Sequence, residues 1–149
     1  MNQRPIKFMA WHTPTKRLFR VYGFDTYRIF EADSDGFSTV ADPVKRSDCH
    51  LLQFTGITDK NGKEIYEGHI IESTFEDLGV VKGQSFEYNA IGFINGAFGL
   101  VSKYHANELE TFYNLEILST LPDAVIVGNI FENYTLIAPE HQDEEEFDR

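Results

Sequence analysis

The stretch Leu51–Ile71, LLQFTGITDKNGKEIYEGHII, constrains this chain more than any other. Two apolar segments flank Asp59-Lys60-Asn61-Gly62-Lys63, and Asn-Gly is the strongest short-range hairpin signal because both residues tolerate positive φ. Charge selects the register. A two-residue Asn61-Gly62 loop places Lys60 opposite Lys63 and Asp59 opposite Glu64, and like charges facing across a hairpin repel. A three-residue loop, Lys60-Asn61-Gly62, sets Asp59 opposite Lys63 and Ile57 opposite Ile65, with Gly62 in the left-handed position of a G1 bulge. The sequence therefore favours the three-residue loop. A second break at Glu67-Gly68-His69 returns the chain into Ile70-Ile71, giving three short strands in about twenty residues.

A second hairpin is legible at Ala90–Val101. A two-residue Asn95-Gly96 turn pairs Ile94 with Ala97, Phe93 with Phe98, Gly92 with Gly99 and Ile91 with Leu100, so one face carries four apolar side chains. The facing glycines predict a sharp bend or a close approach by another backbone. Elsewhere, residues 6–11 alternate as a half-buried strand, His12–Lys16 turns, and Leu18–Tyr22 returns. Ile70–Phe75 and Ala124–Phe131 read as strands, the latter buried with Gly128 its weak point, and Val80-Val81-Lys82 as the start of another. Residues 23–48 are the least legible: a strand within Gly23–Phe30, turn signals at Asp33-Ser34-Asp35-Gly36 and a breaker at Asp42-Pro43 suggest a loop-rich insertion. Residues 107–118 read as a short helical turn followed by a strand. The chain's 21 Phe, Tyr and Trp residues favour pleated surfaces. The predicted fold is mainly β: a single domain over residues 1–137, of strongly bent antiparallel hairpins in a small barrel-like sheet, with one or two short helices. Residues 138–149 read as a disordered acidic tail.

The run Gln53–Gly68 resembles the core motif of the YopX-like proteins of bacteriophages and prophages. Ile6–Trp11 is similar to that family's N-terminal strand, and Val127–Asn133 to its C-terminal signature. The motif residues carrying the resemblance are Gln53, Thr55, Gly56, Asp59, Asn61, Gly62, Ile65, Tyr66, Gly68, Gly128 and Asn129. His69 stands where the family usually has an aspartate, and Tyr134 where a proline commonly follows the asparagine. The resemblance implies a β-rich fold and a mobile-element origin, and it implies no activity.

Charge and cysteine usage bound the function. The formal net charge is −11, which argues against wholesale binding to a phosphate backbone. Six acids and Arg149 fall in the last dozen residues. Up to Arg28, by contrast, Arg4, Lys7, Lys16, Arg17, Arg20 and Arg28 face Asp25 alone, either as a strand edge defended by cations or as a basic patch. Trp11, Lys16, Arg17 and Arg20 are therefore the candidate interaction residues, with Trp11, Tyr22 and Tyr27 as stacking groups. Cys49 is the single cysteine, so no intramolecular disulfide forms within the chain, in keeping with a reducing cytosol. No signal peptide is visible and no apolar run approaches a membrane span.

Catalytic and metal signatures are weak. Asp33-Ser34-Asp35-Gly36 has only part of a calcium loop, with Asp42 rather than glutamate six residues after the glycine. Cys49 and His50 are adjacent on a strand and point to opposite faces. The five histidines lack the i, i+4 spacing of a helical metal pair. The sequence thus leads to a non-enzymatic phage or prophage protein of the bacterial cytosol, without cofactor, metal or membrane, acting on a protein partner or on itself. Its rivals are a nucleic-acid-binding accessory using the basic N-terminal strands and an acidic duplex mimic that blocks a host DNA-binding enzyme. A mimic needs carboxylates spaced along one face, and a quarter of them sit in the tail.

Overall fold

A computed structural model describes residues 5–40, 42–73, 87–102, 111–114 and 123–137. Eleven strands account for most of these: β1 (Phe8–His12), β2 (Arg17–Phe24), β3 (Arg28–Glu31), β4 (Val44–Lys45), β5 (Cys49–Thr58), β6 (Glu64–Tyr66), β7 (His69–Ser73), β8 (Glu87–Ile94), β9 (Ala97–Ser102), β10 (Thr111–Asn114) and β11 (Val125–Asn129). Helix is confined, among the described residues, to single 3-10 turns at Arg46–Asp48 and Tyr134–Leu136. The protein is mainly β, as the hairpin patterning requires. The strands form two antiparallel sheets, ordered β4-β3-β2-β1-β5-β6 and β10-β9-β8-β7-β11, and both are open rather than closed into a barrel.

The chain divides into two compact units at Gly56, residues 1–56 and 57–149. Gly56 lies inside β5 with φ +91°, a conformation that interrupts a regular strand and that glycine adopts without a Cβ penalty.

In the first unit, β1 sits between β2 and β5. Ala10 is paired with Phe19 on one side and Leu51 on the other. Ala10, Phe19 and Ile29 are buried together, with Val21, Val44, Cys49 and Leu51 packed against them. Residues 23–48, expected as a loop-rich insertion, supply two strands of this sheet: β3 pairs with β2 across a bulge between Val21 and Gly23, and β4 pairs with β3. This corrects the strand-edge reading of the N-terminal cations. β2, which carries Arg17 and Arg20, is an interior strand, and β4 is the edge.

In the second unit, β7 is the organising strand. Ile70 and Ile71 are adjacent, point to opposite faces and are both fully buried, so both faces of β7 are covered. Ile71 joins Ile65, Ile91, Leu100 and Ala124, with Ile57 and Ile126 against them. Ile70 joins Ala90 and Ile137, with Tyr88, Ile130 and Leu136. The β8–β9 hairpin has the register read from sequence, from Ile94↔Ala97 through Ile91↔Leu100. Asn95 and Gly96 have φ 53° and 82°, as the two-residue turn demands. Phe93 and Phe98 meet edge to face at 4.9 Å.

Three expectations change here. The space at Gly92 is filled by a side chain, not by another backbone, because a Cβ there would lie 2.8 Å from Val101 Cγ2. Phe112, expected in the helical turn, belongs to β10 and pairs with Val101, while Tyr113 and Asn114, where the following strand was expected, lie in β10 as well. The strand after Ala124 is a half-buried edge strand: a bulge between Ile126 and Gly128 turns Val127 outward. Expectations for residues 74–75, 80–82, 107–110, 115–118 and 138–149 lie outside the described residues.

Candidate functional site

Two assemblies of side chains stand out, one in each unit. The first is a hydrogen-bonded network built from the motif residues of the second unit.

The three-residue turn at Lys60–Gly62 forms as its charges require. The Asp59 N–H donates to the Lys63 carbonyl at 2.8 Å, the Gly62 N–H donates to the Asp59 carbonyl at 3.0 Å, and Gly62 has φ +81°. Asp59 does more than start a turn. Its Oδ1 accepts the N–H groups of Asn61 and Lys63, both at 2.9 Å. Its Oδ2 accepts the N–H of Ile126 at 3.1 Å, from β11, 67 residues along the chain. The Lys60 N–H donates to the Ala124 carbonyl at 3.0 Å. The residue is 7% exposed. Burial pushes its carboxyl up, but the backbone donors Ile126, Lys63 and Asn61, with the Lys63 charge, outweigh that and hold it below 3.8.

Gly68, with φ +86°, joins the second turn to β8 and to the turn after β11: its N–H donates to the Ile91 carbonyl at 2.8 Å and its carbonyl accepts from Ile130 at 2.9 Å. Beside it, His69 Nδ1 accepts the Tyr66 N–H at 2.9 Å. Acceptance at this place requires the tautomer in which Nδ1 carries no proton. Burial lowers the His69 pKa below 6.5, against the pull of the Asp59 charge, and so keeps Nδ1 free to accept.

The C-terminal signature closes on itself. Asn129 Oδ1 accepts the N–H groups of Phe131 and Glu132, both at 3.0 Å, while its Nδ2 donates to Glu132 Oε1 at 2.9 Å. Asn133 Oδ1 accepts the Asn129 N–H at 3.1 Å. Gly128 makes room for this: a Cβ there would meet Asn133 Oδ1 at 2.3 Å. Ile65 is fully buried and Tyr66 nearly so. Gln53 lies opposite Phe8 across the β1–β5 pair, and Thr55 is buried in β5. Asp59, Asn129 and Asn133 satisfy backbone N–H groups, and the network they build organises turns.

The second assembly is a face of the first unit. The bulge at Val21/Gly23 leaves Arg20 and Tyr22 on the side of β2 opposite Phe19 and Val21. On β3 the same side carries Arg28 and Phe30, since Ile29 is in the core, and Lys45 is directly opposite Arg28 on β4. The loop after β3 folds over Arg20, whose guanidinium donates to the Ser34 carbonyl at 3.5 Å and lies 3.4 Å from where a Gly36 Cβ would be. Phe37 follows at 86% exposure, and Tyr22 is 54% exposed.

The cations of this face differ in their partners. Arg28 stacks over the Phe30 ring at 5.3 Å and pairs with Asp25 at 2.7 Å. Arg28, with the N–H groups of Tyr27 and Arg28, holds the Asp25 carboxyl down to about 2, so it stays ionised. Lys45 has no ion pair among the described residues, although it sits across from another cation.

The candidate interaction residues do not converge. Trp11 is 6% exposed, which removes it as a stacking platform and places it with the buried residues. Lys16 occupies the 13–16 turn with φ 53°. Arg17 lies on the core side of β2, paired with Glu31 at 2.6 Å and stacked on Phe19 at 5.0 Å. Arg20 points to the other side. Sequence reasoning grouped Arg28 with Arg20 but missed Phe30, Phe37 and Lys45 as their companions, because that meeting depends on the β2–β3–β4 pairing. Strand alternation over Leu18–Tyr22 already sets Tyr22 on the side of Arg20.

Asp33 and Asp35 spend their oxygens on the turn, accepting from Ser34, Phe37 and Ser38. Burial, then the Asp48 charge, raises the Cys49 thiol above its usual value and keeps it from acting as a thiolate. Among the described residues no group of three His, Cys, Asp or Glu side chains is placed to hold a metal, and no helix is long and apolar enough to cross a membrane.

Open antiparallel sheets joined by tight hairpins, with motif residues spent on turns, define an all-β scaffold. A family model described as YopX protein matches residues 7–138, and the chain belongs to that family. A crystal structure of protein EF1440 from Enterococcus faecalis is similar, with a TM-score of 0.60 and 25% identity over 91% of this chain and 99% of that one. No curated protein matches the chain significantly.

Proposed function

We propose that this protein is a non-enzymatic interaction module of phage or prophage origin, working in the bacterial cytosol by binding protein through the outer face of β2–β4. The observation that carries this reading is the distribution of exposed rings. Of the nine large hydrophobic side chains that are exposed among the described residues, six lie in the first unit and four of these are rings (Tyr22, Phe24, Tyr27 and Phe37), with Tyr22 on the Arg20 side of β2 and Phe37 in the loop that folds over Arg20. Aromatic side chains interleaved with arginine are the composition of protein-interface anchors. The motif network supports the same reading, since Asp59, Asn129 and Asn133 spend their side-chain oxygens on backbone N–H groups of turns.

A second reading, binding of single-stranded nucleic acid, draws on the same rings and cations. It is disfavoured by the net charge of −11 and by the loss of Trp11 and Arg17 from the face. The test is affinity capture of the tagged full chain from a bacterial host extract, with and without nuclease. A nuclease-resistant partner that is lost on Arg20→Glu with Lys45→Glu supports the module. Recovery that vanishes with nuclease replaces it with the second reading.

A further inference from the structure

Asparagine or aspartate followed by glycine is a reactive sequence. The glycine nitrogen reaches back to the preceding side-chain carbonyl with no Cβ to obstruct it. The chain has three such pairs, Asp35-Gly36, Asn61-Gly62 and Asn95-Gly96, and all six residues are exposed. The fold treats the three differently. The Gly36 N–H donates to the Asp33 carbonyl at 2.9 Å, and Asp35 Oδ1 accepts the Phe37 N–H at 2.8 Å. The Gly62 N–H donates to the Asp59 carbonyl at 3.0 Å, and the N–H groups of Asn61 and Lys63 on either side both donate to Asp59 Oδ1 at 2.9 Å. A glycine nitrogen held in this way must give up its bond before it attacks. At Gly62 it must also take on negative charge beside the Asp59 carboxylate.

The Asn95-Gly96 turn has no such tie. Among the described residues, neither the Gly96 N–H nor the Asn95 carboxamide makes a hydrogen bond. A Cβ on Gly96 would meet nothing within 4 Å, so the space beside its backbone is open. Asn95 itself sits at φ 53°, a conformation that strains a residue with a side chain and that opening of the turn relieves. The turn is held from outside, by the Ile94↔Ala97 pair that closes the hairpin.

We propose that Asn95 is a site of spontaneous covalent modification, deamidating and isomerising through a cyclic imide, while the pairs at Asp35 and Asn61 are protected by the bonds of their own turns. The Gly96 nitrogen loses its proton to hydroxide and attacks Asn95 Cγ. The new C–N bond closes a succinimide ring, and the carboxamide nitrogen leaves as ammonia. Water then opens the ring at one of its two carbonyls. Opening at Cγ restores the ordinary backbone and leaves an aspartyl side chain. Opening at the main-chain carbonyl leaves an isoaspartyl residue, through whose side chain the backbone now runs, longer by a methylene. The two products differ in structure. Aspartate-glycine suits a two-residue turn as asparagine-glycine does, so the aspartyl form keeps Ile94 opposite Ala97. The isoaspartyl form lengthens the loop and loosens that pair, together with the Phe93–Phe98 contact at 4.9 Å beside it. The inference is independent of the interaction face of the first unit.

The test ages the full chain at mildly alkaline pH, folded in buffer and unfolded in urea. Samples are read by peptide mapping with mass spectrometry, using fragmentation that separates aspartyl from isoaspartyl products. An isoaspartyl methyltransferase with labelled S-adenosylmethionine measures total isoaspartate independently. In the folded chain Asn95 is expected to react about tenfold or more faster than Asn61, because attack at Gly62 breaks hydrogen bonds that Gly96 does not have, each worth a factor of about five. In urea the two rates converge. Asp59→Ala releases the N–H groups of Asn61 and Lys63, and it should raise the Asn61 rate several-fold while Asn95, in the other hairpin, keeps the parent's rate. Should that variant unfold, both rates move together, and the comparison of the parent in buffer and in urea decides alone. Three results overturn the inference: isoaspartate at Asp35 or Asn61 in the folded chain as early as at Asn95, the same ratio of rates in buffer and in urea, or an Asn95 that stays intact in the folded chain while the urea-unfolded chain reacts.

Discussion

Removing the Asp59 carboxylate is the sharpest test of how the motif works. Asp59→Ala takes the acceptor from three backbone N–H groups, those of Asn61, Lys63 and Ile126. The three losses are unequal. Asn61 and Lys63 are exposed, so water replaces the carboxylate at low cost, whereas Ile126 is half-buried in β11. A buried donor left without a partner costs roughly 1–3 kcal/mol, and each water-replaced bond about 0.5–1 kcal/mol. The sum for Asp59→Ala is about 2–5 kcal/mol, a large part of the ~5–15 kcal/mol that holds a typical domain. Asp59→Asn separates the components. Its amide oxygen can serve Asn61 and Lys63, but its NH₂ then faces the Ile126 N–H, donor against donor. About half the loss should remain, with exchange protection falling at Ile126 while the 59–63 turn persists. Urea denaturation gives the free energies and amide hydrogen exchange locates them. An alanine variant within about 0.5 kcal/mol of the parent, the ordinary range for a surface substitution, refutes the role given to this carboxylate. The lowered pKa fixes the sign of the pH effect: Asp59's contribution is complete above its unfolded value near 3.8 and is lost as pH falls through the lower folded value.

Other outcomes follow from the same geometry. His69 has a folded pKa below 6.5, so its contribution is complete above about pH 6.5 and declines as pH falls toward the folded value; in His69→Asp, which keeps an acceptor for Tyr66, the fall in urea midpoint between pH 7 and pH 5 should shrink. Gly128→Ala drives a Cβ into Asn133 and should cost about 1–3 kcal/mol, with a less-than-additive effect in combination with Asn133→Ala, measured as a double-mutant cycle. Gly96→Ala, at φ 82°, should cost about 1–2 kcal/mol by thermal or urea unfolding, and an unchanged midpoint would contradict the two-residue turn. Phe98→Ala removes the edge-to-face partner of Phe93, and its loss should exceed that of Phe93→Ala, because Phe93 is the more exposed of the two.

Both Asn-Gly turns were legible because their information is local: the residues that need positive φ, and the charges that forbid one register, are within a few positions of each other. The pairing of Phe93 with Phe98 follows directly. The reading of residues 107–118 as a helical turn followed by a strand from Tyr113 holds at Tyr113 and Asn114 and fails at Phe112, whose short apolar pattern fits either state and whose pairing with Val101 in β9 decided it. The facing glycines in β8 and β9 were found correctly, but the filling of Gly92's space by Val101 is a diagonal contact that depends on sheet packing.

By itself, the sequence determined that this is a mainly β chain of tight hairpins belonging to a recognisable family, because turn chemistry and two-residue periodicity are written over short spans. Only the tertiary structure decided that Asp59 is bonded to Ile126, that Gly68 ties Ile91 to Ile130, and that β2, which carries Arg17 and Arg20, is an interior strand. Those facts rest on which distant strands pair and on which side a bulge turns each residue. A shift of one residue in pairing inverts every side chain, and no local pattern in the sequence specifies it.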